Sequence, residues 1–350
     1  MSSVGMVYAM TNSAVRNKVI AFRRGINGKL IRIKAYATGG RGTGERIVDP
    51  LSSQGSLILS RNGRFLFAVN AGSNSISSFR VSSSGRLTLV DVDPSGGVRP
   101  NSLSNFGDLL YVSNVGNTTN NIASNVTGFR VRTNGRLARI TGSTHALSTS
   151  TAQPSCIVFS RRGRLLVVSE LNTNRLSVFR VNTNGTLSGP TINNSNGAGP
   201  FGSVFLTTGP LLVSEVGANA LSSYTAFLNG NLRVISGSVP NGQQGTCWVS
   251  VSRHEHFAYT SNAGSGTITR FRIRSNGTLV FIKNVNSTLS GTGAPIDSGV
   301  SRDGRNLYVL NGNQGSISVF RIFSDGRLQR LQVLQNTGLP ELGAQGLAVR

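Results

Sequence analysis

Two glutamates are unusual in this sequence because the chain contains few acids. Glu170 ends the run LLVVSE and Glu215 ends the run LLVSE, whereas the 350 residues include 12 Asp and Glu against 35 Lys and Arg. A carboxylate in a cleft can act as a general base, pair with an arginine, or ligate Ca²⁺ together with amide oxygens. The sequence therefore predicts Glu170 and Glu215 as catalytic residues, with an ion pair or a Ca²⁺ site as alternatives.

Polar loops supply further candidates. Arg41, in GGRGTGE, and Arg99, in GGVRP, can each hold a carboxylate or phosphate through two parallel hydrogen bonds. Glu45 lies in the same loop as Arg41. His145, in THA, is one of three histidines, and an ordinary histidine pKa is close to neutrality. We predict Arg41 and Arg99 as substrate-binding residues and His145 as catalytic, although a single loop histidine is more often only exposed.

Common catalytic and metal motifs are missing. The sequence has no Gly-x-Ser-x-Gly, His-Glu-x-x-His or Cys-x-x-Cys, so a nucleophilic serine, a zinc protease site and a structural zinc site have no support. Cys156 and Cys247 are the only cysteines and do not form a disulfide framework. The glycines of GGRGTGE lack the strand, turn and helix of a dinucleotide-binding site. Apart from the Ca²⁺ alternative, we expect no metal and no cofactor.

The segment around Glu170 recurs along the chain. FAVNAGSNSISSFRV (67–81), YTSNAGSGTITRFRI (259–273) and YVLNGNQGSISVFRI (308–322) repeat its pattern, and looser copies bring the total to seven. The equivalent polar positions are 44 to 58 residues apart: Asn12, Asn70, Asn114, Glu170, Glu215, Asn262 and Asn311. Short alternating strands at this period predict a β-propeller. We predict that four of these amides bind substrate, with a structural role in the loops as the alternative: Asn70, Asn114, Asn262 and Asn311.

Each copy is predicted to form four antiparallel strands. In the fourth copy these are SCIVFS, LLVVSE, RLSVFRV and TLSGPT, with intervening tight turns in which Gly and Asn accept positive φ. The first copy lacks its innermost strand, and the C-terminal AQGLAVR resembles the SQGSLIL that opens the second copy. We therefore predict an all-β, seven-bladed β-propeller of four-stranded antiparallel blades. Residues 1–350 would form one domain, and the C-terminal segment would close the ring as the innermost strand of the first blade.

These units resemble the seven-bladed propeller lactonase family, which includes propeller-type 6-phosphogluconolactonases and carboxymuconate-lactonizing enzymes. The resemblance covers essentially the whole chain. It rests on the turn S-R-[ND]-G-R at 60–64 and 301–305, the Asn-terminated second strand, and the F-R-[VI] end of the third strand followed by G-[RT]-L. It implies a lactonase-like enzyme that hydrolyses or forms a small anionic cyclic ester. In one departure, many turns read Asn-Gly, Ser-Gly or Arg-Gly where the family commonly has Asp-Gly.

The predicted topology separates two faces. The ends of the second strands and the loops between blades lie on the "top face", whereas the tight turns lie on the "bottom face". The bottom turns are rich in arginine: Arg61, Arg64, Arg86, Arg136, Arg161, Arg162, Arg164, Arg253, Arg302, Arg305 and Arg327. With a formal charge of +23, the chain is expected to attract anions. The alternative function is thus a noncatalytic scaffold whose bottom face binds an acidic protein or a polyanion, although no nucleic-acid motif is present.

The N-terminus predicts the compartment. MSSVGMVYAMTNSAV lacks the basic and then apolar pattern of a signal peptide, and no run approaches 18 apolar residues. We expect a cytoplasmic protein without a membrane partner, with secretion through an already removed signal as the alternative. At the top face, Glu170 and Glu215 are expected to share one sector, with either a raised pKa of one glutamate or a positive partner between them. The oligomeric state does not follow from the sequence.

Overall fold

Seven small sheets surround a central axis in the computed structural model, which describes residues 5–350. These residues form 29 strands and no helix, and thus no helix that is long and apolar enough to cross a membrane. Residues 1–4 of the expected domain lie outside the described part. In chain order the strands are β1 (Met6–Met10), β2 (Lys18–Arg24), β3 (Leu30–Ala37), β4 (Leu57–Leu59), β5 (Phe65–Asn70), β6 (Ser75–Val81), β7 (Leu87–Pro94), β8 (Pro100–Phe106), β9 (Leu109–Asn114), β10 (Asn125–Val131), β11 (Leu137–Arg139), β12 (His145–Ala146), β13 (Pro154–Phe159), β14 (Leu165–Glu170), β15 (Arg175–Val181), β16 (Leu187–Asn194), β17 (Pro200–Phe205), β18 (Leu211–Glu215), β19 (Ala220–Ala226), β20 (Leu232–Pro240), β21 (Thr246–Val251), β22 (Phe257–Asn262), β23 (Thr267–Ile273), β24 (Leu279–Asn286), β25 (Pro295–Val300), β26 (Asn306–Asn311), β27 (Ser316–Ile322), β28 (Leu328–Leu334) and β29 (Gln345–Val349).

Each sheet is one propeller blade. Six blades take their strands from consecutive segments, as in the fourth blade, which has the order β13-β14-β15-β16 with every pair antiparallel. The innermost strands of neighbouring blades contact each other in a closed circle of β29, β4, β8, β13, β17, β21 and β25. The predicted seven-bladed, all-β propeller is therefore confirmed.

The first blade joins the two ends of the chain. Its order is β29-β1-β2-β3, and β29 pairs with β1 so that Ala348 lies opposite Tyr8. This confirms the prediction that the C-terminal segment supplies the missing innermost strand. A ring closed in this way leaves no exposed edge at its inner strands.

The uninterrupted apolar run of β14 has a physical explanation in its two neighbours. Leu166 and Val168 pack in a cluster with residues of the third blade, whereas Leu165 and Val167 pack with residues of the fifth. Both faces of the strand are therefore buried, and an alternation of apolar and polar residues is not required. The charged end of the strand, Glu170, is consequently placed at the inner part of the top face.

Tyrosines of the second strands join one blade to the next. The Tyr111 hydroxyl donates to the carbonyl oxygen of Gly185 at 2.8 Å, and the Tyr8 hydroxyl donates to that of Gly85 at the same distance. Both glycines lie in the last turn of the following blade and have positive φ, 88° for Gly185 and 80° for Gly85. The bond satisfies the buried hydroxyl and fixes the spacing of neighbouring blades.

The third blade departs from the simple pattern because its outer strand is split. β11 and β12 both pair with β10, and Gly142 and Ser143 lie between them. The Ser143 hydroxyl donates to the carbonyl oxygen of Gly128 at 3.0 Å and accepts from its N–H at 3.1 Å. A side chain thus replaces the sheet hydrogen bonds where the outer strand is interrupted.

Candidate functional site

Glu170 is completely buried at the end of β14. Its carboxylate accepts hydrogen bonds from the Ser148 N–H at 3.1 Å and from the Thr173 hydroxyl at 2.8 Å. The hydroxyls of Ser148 and Ser177 also donate to it. These donors come from the preceding inter-blade loop, the following loop and the neighbouring strand, and they supply hydrogen bonds to a carboxyl group that is shielded from solvent.

Glu215 occupies the equivalent pocket in the fifth blade and is also completely buried. It accepts from the Gly197 N–H at 2.9 Å, the Ser222 hydroxyl at 2.7 Å and the Ser238 hydroxyl at 2.6 Å. A Cβ on Gly197 would lie 2.3 Å from the carboxylate, so only glycine allows this approach. Within residues 5–350, the positive partner expected between Glu170 and Glu215 is not among the groups that contact either carboxylate.

The amides of the other blades make similar contacts. Asn70 donates to the hydroxyl of Ser77 at 2.7 Å and accepts from that of Thr38 at 2.7 Å. Asn262 donates to Thr269 at 2.8 Å and accepts from Thr246 at 2.8 Å. These amides hold inter-blade loops against the third strands.

Two of the amides keep an unpartnered oxygen. Asn114 donates to Asn125 at 2.9 Å and Asn311 donates to Ser318 at 2.9 Å, but the Oδ1 atoms of both are buried and accept no hydrogen bond. All four predicted amides are completely buried, as are the two glutamates. The catalytic or substrate-binding role of this ring stays a prediction, because a ligand reaches these groups only if the covering loops move.

His145 lies away from the axis. It belongs to β12 on the outer side of the third blade, and its ring is 5.9 Å from that of Phe179 in the fourth. Its Nε2 atom is buried without a hydrogen-bond partner, and burial lowers the pKa of the imidazole. The structure therefore does not bring His145 together with Arg41 or Arg99, and its predicted catalytic role remains untested.

A loop fills the mouth of the central tunnel. We call residues 49–56 the plug. Gln54 donates its backbone N–H to the carbonyl oxygen of Ser155 at 2.9 Å, and its side-chain Oε1 accepts from the Val249 N–H at 2.9 Å. Ser53 donates its hydroxyl to the carbonyl oxygen of Asn101 at 2.8 Å. The plug thus bonds to innermost strands on opposite sides of the ring.

Apolar side chains complete this closure. Trp248 is 1% exposed and packs edge-on against Phe201 with ring centroids 5.1 Å apart. Ile296 and Leu347 belong to the same cluster, and Leu171 packs against it from the top. Within residues 5–350, the plug and these apolar side chains thus occupy the part of the ring centre that surrounds Trp248.

Asp49 is the first residue of the plug, and Asp297 lies close to it. Asp49 has a buried Oδ1 atom without a partner, and burial raises the pKa of its carboxyl to about 7. Asp297 is 3% exposed and accepts the Gly346 N–H at 2.8 Å. Its pKa is also raised well above the ordinary value, chiefly by burial and then by the nearby Asp49. Both groups favour the protonated form more than an exposed aspartate does.

The accessible charged pair of the top face is Glu45 with Arg99. Arg99 Nη2 donates to Glu45 Oε2 at 2.9 Å and to the carbonyl oxygen of Pro50 at 3.0 Å. Both side chains are 39% exposed. Arg99 has a φ of 57°, and the Asn74 side chain accepts its backbone N–H at 2.8 Å. The plug and the second blade therefore orient Arg99, and Arg99 orients the carboxylate.

Glu45 faces a cavity of about 520 Å³ that we call the Glu45 cavity. Its walls are a loop of the first blade and the two inter-blade loops at 44–46 and 338–343. Glu45 is the only acid in this lining, and three cations accompany it: Arg16, Lys18 and Arg46. One carboxylate among several cations suits an anionic ligand. Sequence reasoning placed Glu45 on the top face but missed these three cations.

Arg99 lines a second top-face cavity of about 520 Å³ with the amides Asn117, Gln153 and Asn172. Arg41 lies in the loop before Glu45, where its N–H donates to the Ser73 hydroxyl at 3.0 Å and its side chain is exposed. The structure thus gathers Arg99, Glu45 and Arg41 on neighbouring top-face loops, apart from the buried ring. No group of three or more His, Cys, Asp or Glu positioned to hold a metal ion occurs in residues 5–350.

Comparison with protein families gives one match. Residues 6–123 and 229–344 match the model of the lactonase family with a seven-bladed β-propeller. No curated protein matches the sequence. The two matched ranges comprise more than half of the chain and include Arg41, Glu45 and Arg99.

Solved structures give a second comparison. A presumed 6-phosphogluconolactonase from Bacteroides uniformis has a TM-score of 0.78 and 18% identity, with 100% of both chains covered. A presumed 6-phosphogluconolactonase from Bacteroides fragilis has a TM-score of 0.77 and 18% identity, covering 100% of this chain and 98% of the other. The periplasmic gluconolactonase of Pseudomonas aeruginosa has a TM-score of 0.77 and 20% identity, covering 99% and 98%. At these identities the similarity shows the fold.

Proposed function

The chain belongs to the seven-bladed β-propeller lactonase family, and we propose that it is a lactonase-like enzyme acting on a small anionic cyclic ester in the Glu45 cavity. The observation that supports this proposal is the accessible Glu45 carboxylate, held by Arg99 at 2.9 Å beside a cavity that also contains three cations. The similar gluconolactonase and presumed 6-phosphogluconolactonases suggest a sugar-acid δ-lactone as the substrate class.

Glu45 would act as the general base. It accepts a proton from water as the water oxygen attacks the lactone carbonyl, and the resulting tetrahedral oxyanion lies among the guanidinium and ammonium groups of the lining. When the ring C–O bond breaks, the proton returns to the departing alkoxide, so the product is the open hydroxy acid. Arg99 would keep the carboxylate directed to the cavity.

Arg46 and Lys18 would bind the anionic group of the substrate. Arg46→Gln and Lys18→Gln are therefore expected to raise KM for a phosphorylated or carboxylated lactone, with little effect on an uncharged lactone of the same ring size. Initial rates of acid release on a matched panel of lactones measure this. Equal effects on charged and uncharged lactones would remove these cations from substrate binding.

A second candidate function is the noncatalytic scaffold, and the exposed arginines of the bottom face favour it. Arg61, Arg64, Arg86 and Arg136 are all exposed. The three salt bridges within residues 5–350 use other arginines: Arg24, Arg99 and Arg130. Retention on heparin that falls steeply with salt would support this function, and retention without salt dependence would argue against it.

The compartment is a proposal. We propose the cytoplasm, whereas the similar gluconolactonase of Pseudomonas aeruginosa is periplasmic. Cell fractionation of the untagged chain distinguishes these locations.

A further inference from the structure

The bottom face contains a cavity between the fourth and fifth blades. It encloses about 500 Å³ and is lined by the β13–β14 turn, the β17–β18 turn and the end of β19. We call it the arginine cavity because Arg161, Arg162 and Arg164 contribute to its wall, whereas no acid is among the lining residues. All three arginines are exposed.

A clamp from the sixth blade shapes one wall. The Glu255 carboxylate accepts the Thr207 N–H at 2.8 and 2.7 Å and the Thr207 hydroxyl at 2.7 Å. The Thr207 carbonyl oxygen in turn accepts a hydrogen bond from Arg161. Glu255 has a φ of 58°, a left-handed backbone conformation that costs free energy for most residues other than glycine and asparagine. The three hydrogen bonds offset this cost and position the wall.

Arg162 and Arg164 remain available to a ligand. Neither takes part in a salt bridge within residues 5–350. Their turn, Ser160–Leu165, is held by its own backbone, since the Gly163 N–H donates to the Ser160 carbonyl oxygen at 2.8 Å. The two guanidinium groups therefore project from a fixed turn, which reduces the entropy lost when they bind an anion.

Apolar side chains also line the cavity. Leu228 is 56% exposed and lines the cavity together with Phe205 and Ala226. Next to it, Phe227 is 40% exposed, and Arg233 lies over its ring at 5.5 Å. A cavity lined by both cationic and apolar side chains suits a ligand with a charged end and an apolar body.

We propose that the arginine cavity binds a soluble phosphomonoester with an apolar substituent. A phosphate dianion matches two guanidinium groups that form no salt bridge within residues 5–350 better than a single carboxylate does. Leu228 would contact the substituent and desolvate it. This site lies on the face opposite the Glu45 cavity. The proposal does not depend on whether the chain is a lactonase or a scaffold for larger polyanions.

Calorimetric titration with phenyl phosphate tests the proposal. The wild-type protein should bind it saturably, and the double variant Arg162→Gln/Arg164→Gln should bind at least about tenfold more weakly. The matched control is Arg61→Gln/Arg64→Gln, which removes the same charge from the equivalent turn of the second blade and should change affinity by less than about twofold. Leu228→Ser should weaken binding of phenyl phosphate but not of inorganic phosphate.

Three results would overturn the proposal. The first is no saturable binding by the wild-type protein. The second is an equal loss in both double variants, because general attraction by the bottom face then explains the binding. The third is binding to vesicles that contain anionic phospholipid without binding of phenyl phosphate, because the occupant would then be a membrane surface.

Discussion

Trp248 donates its indole N–H to the carbonyl oxygen of Ser53 at 3.0 Å, and this bond joins the sixth blade to the plug. Trp248 is the only tryptophan of the chain and is 1% exposed. Its fluorescence therefore reports directly whether the plug is seated in the tunnel mouth.

Replacing Gly202 by Ala is expected to displace the plug. A Cβ at this position would lie 2.2 Å from Gln54 Oε1 and 2.7 Å from the carbonyl oxygen of Cys247. The emission maximum should move to longer wavelength because water then reaches Trp248. Gly25→Ala, in a bottom turn where the nearest neighbour is a movable side-chain atom of Asn27, is the control. An unchanged spectrum for Gly202→Ala would show that the plug does not depend on this contact.

Replacing Gln54 by Ala tests the energetic contribution of the plug. The variant loses the hydrogen bond from the Val249 N–H at 2.9 Å and the one to the Val249 carbonyl oxygen at 3.3 Å. Leaving these buried groups unpaired should cost about 1–3 kcal/mol of unfolding free energy, measured by urea denaturation. Gln335→Ala removes an exposed glutamine and should have almost no effect. Equal denaturation midpoints for the two variants would contradict the contribution of the plug to stability.

Asp49 makes stability depend on pH. Because burial raises its folded-state pKa from 3.8 to about 7, the folded protein binds more protons than the unfolded chain between these values. Its contribution to stability therefore falls as the pH rises from about 4 to about 7. Asp49→Asn should be closer in stability to the wild type at pH 4.5 than at pH 7.5, where the variant should be the more stable protein. A difference that does not change with pH would mean that Asp49 is not perturbed.

Glu170→Gln separates a catalytic role from a structural one. The carboxylate accepts from the Ser148 N–H and from hydroxyls, and an amide has only one acceptor oxygen to replace it. We expect a loss of about 1–3 kcal/mol in unfolding free energy and unchanged turnover per folded molecule. Loss of turnover with unchanged stability would instead establish the catalytic role that the sequence predicts.

The fold was predictable from sequence because the same pattern of strands and turns recurs in all seven copies of the repeat. The anchors from Asn12 to Asn311, the Asn-Gly and Ser-Gly turns, and the likeness of the C-terminal segment to 53–59 all reflect local chemistry that each blade repeats. The split outer strand of the third blade was not predictable. It depends on the hydrogen bond from the Ser143 hydroxyl to Gly128, which joins the residues between β11 and β12 to β10.

The site was less predictable because accessibility depends on long-range packing. The sequence around Glu170 suggests a functional acid. In the structure its side chain is completely buried and accepts hydrogen bonds from hydroxyls of three segments. Residues 38–56 form an unusually long connection between β3 and β4, and this length was the one available signal for the plug. The local sequence does not show that Gln54 hydrogen-bonds Val249 across the ring, or that Arg99 forms a salt bridge with Glu45.

The rate of lactone opening by Glu45→Gln tests the central proposal most directly. Wild-type protein should open a phosphorylated or carboxylated sugar δ-lactone faster than the spontaneous reaction, as measured by acid release in a pH-stat. Glu45→Gln should reduce kcat by about 100-fold or more without lowering Tm, because it removes the general base. Glu341→Gln changes an exposed acid of the 338–343 loop whose side chain does not line the Glu45 cavity, and it should leave kcat unchanged. A wild-type rate equal to the spontaneous rate, or full activity in Glu45→Gln, would contradict the proposed function.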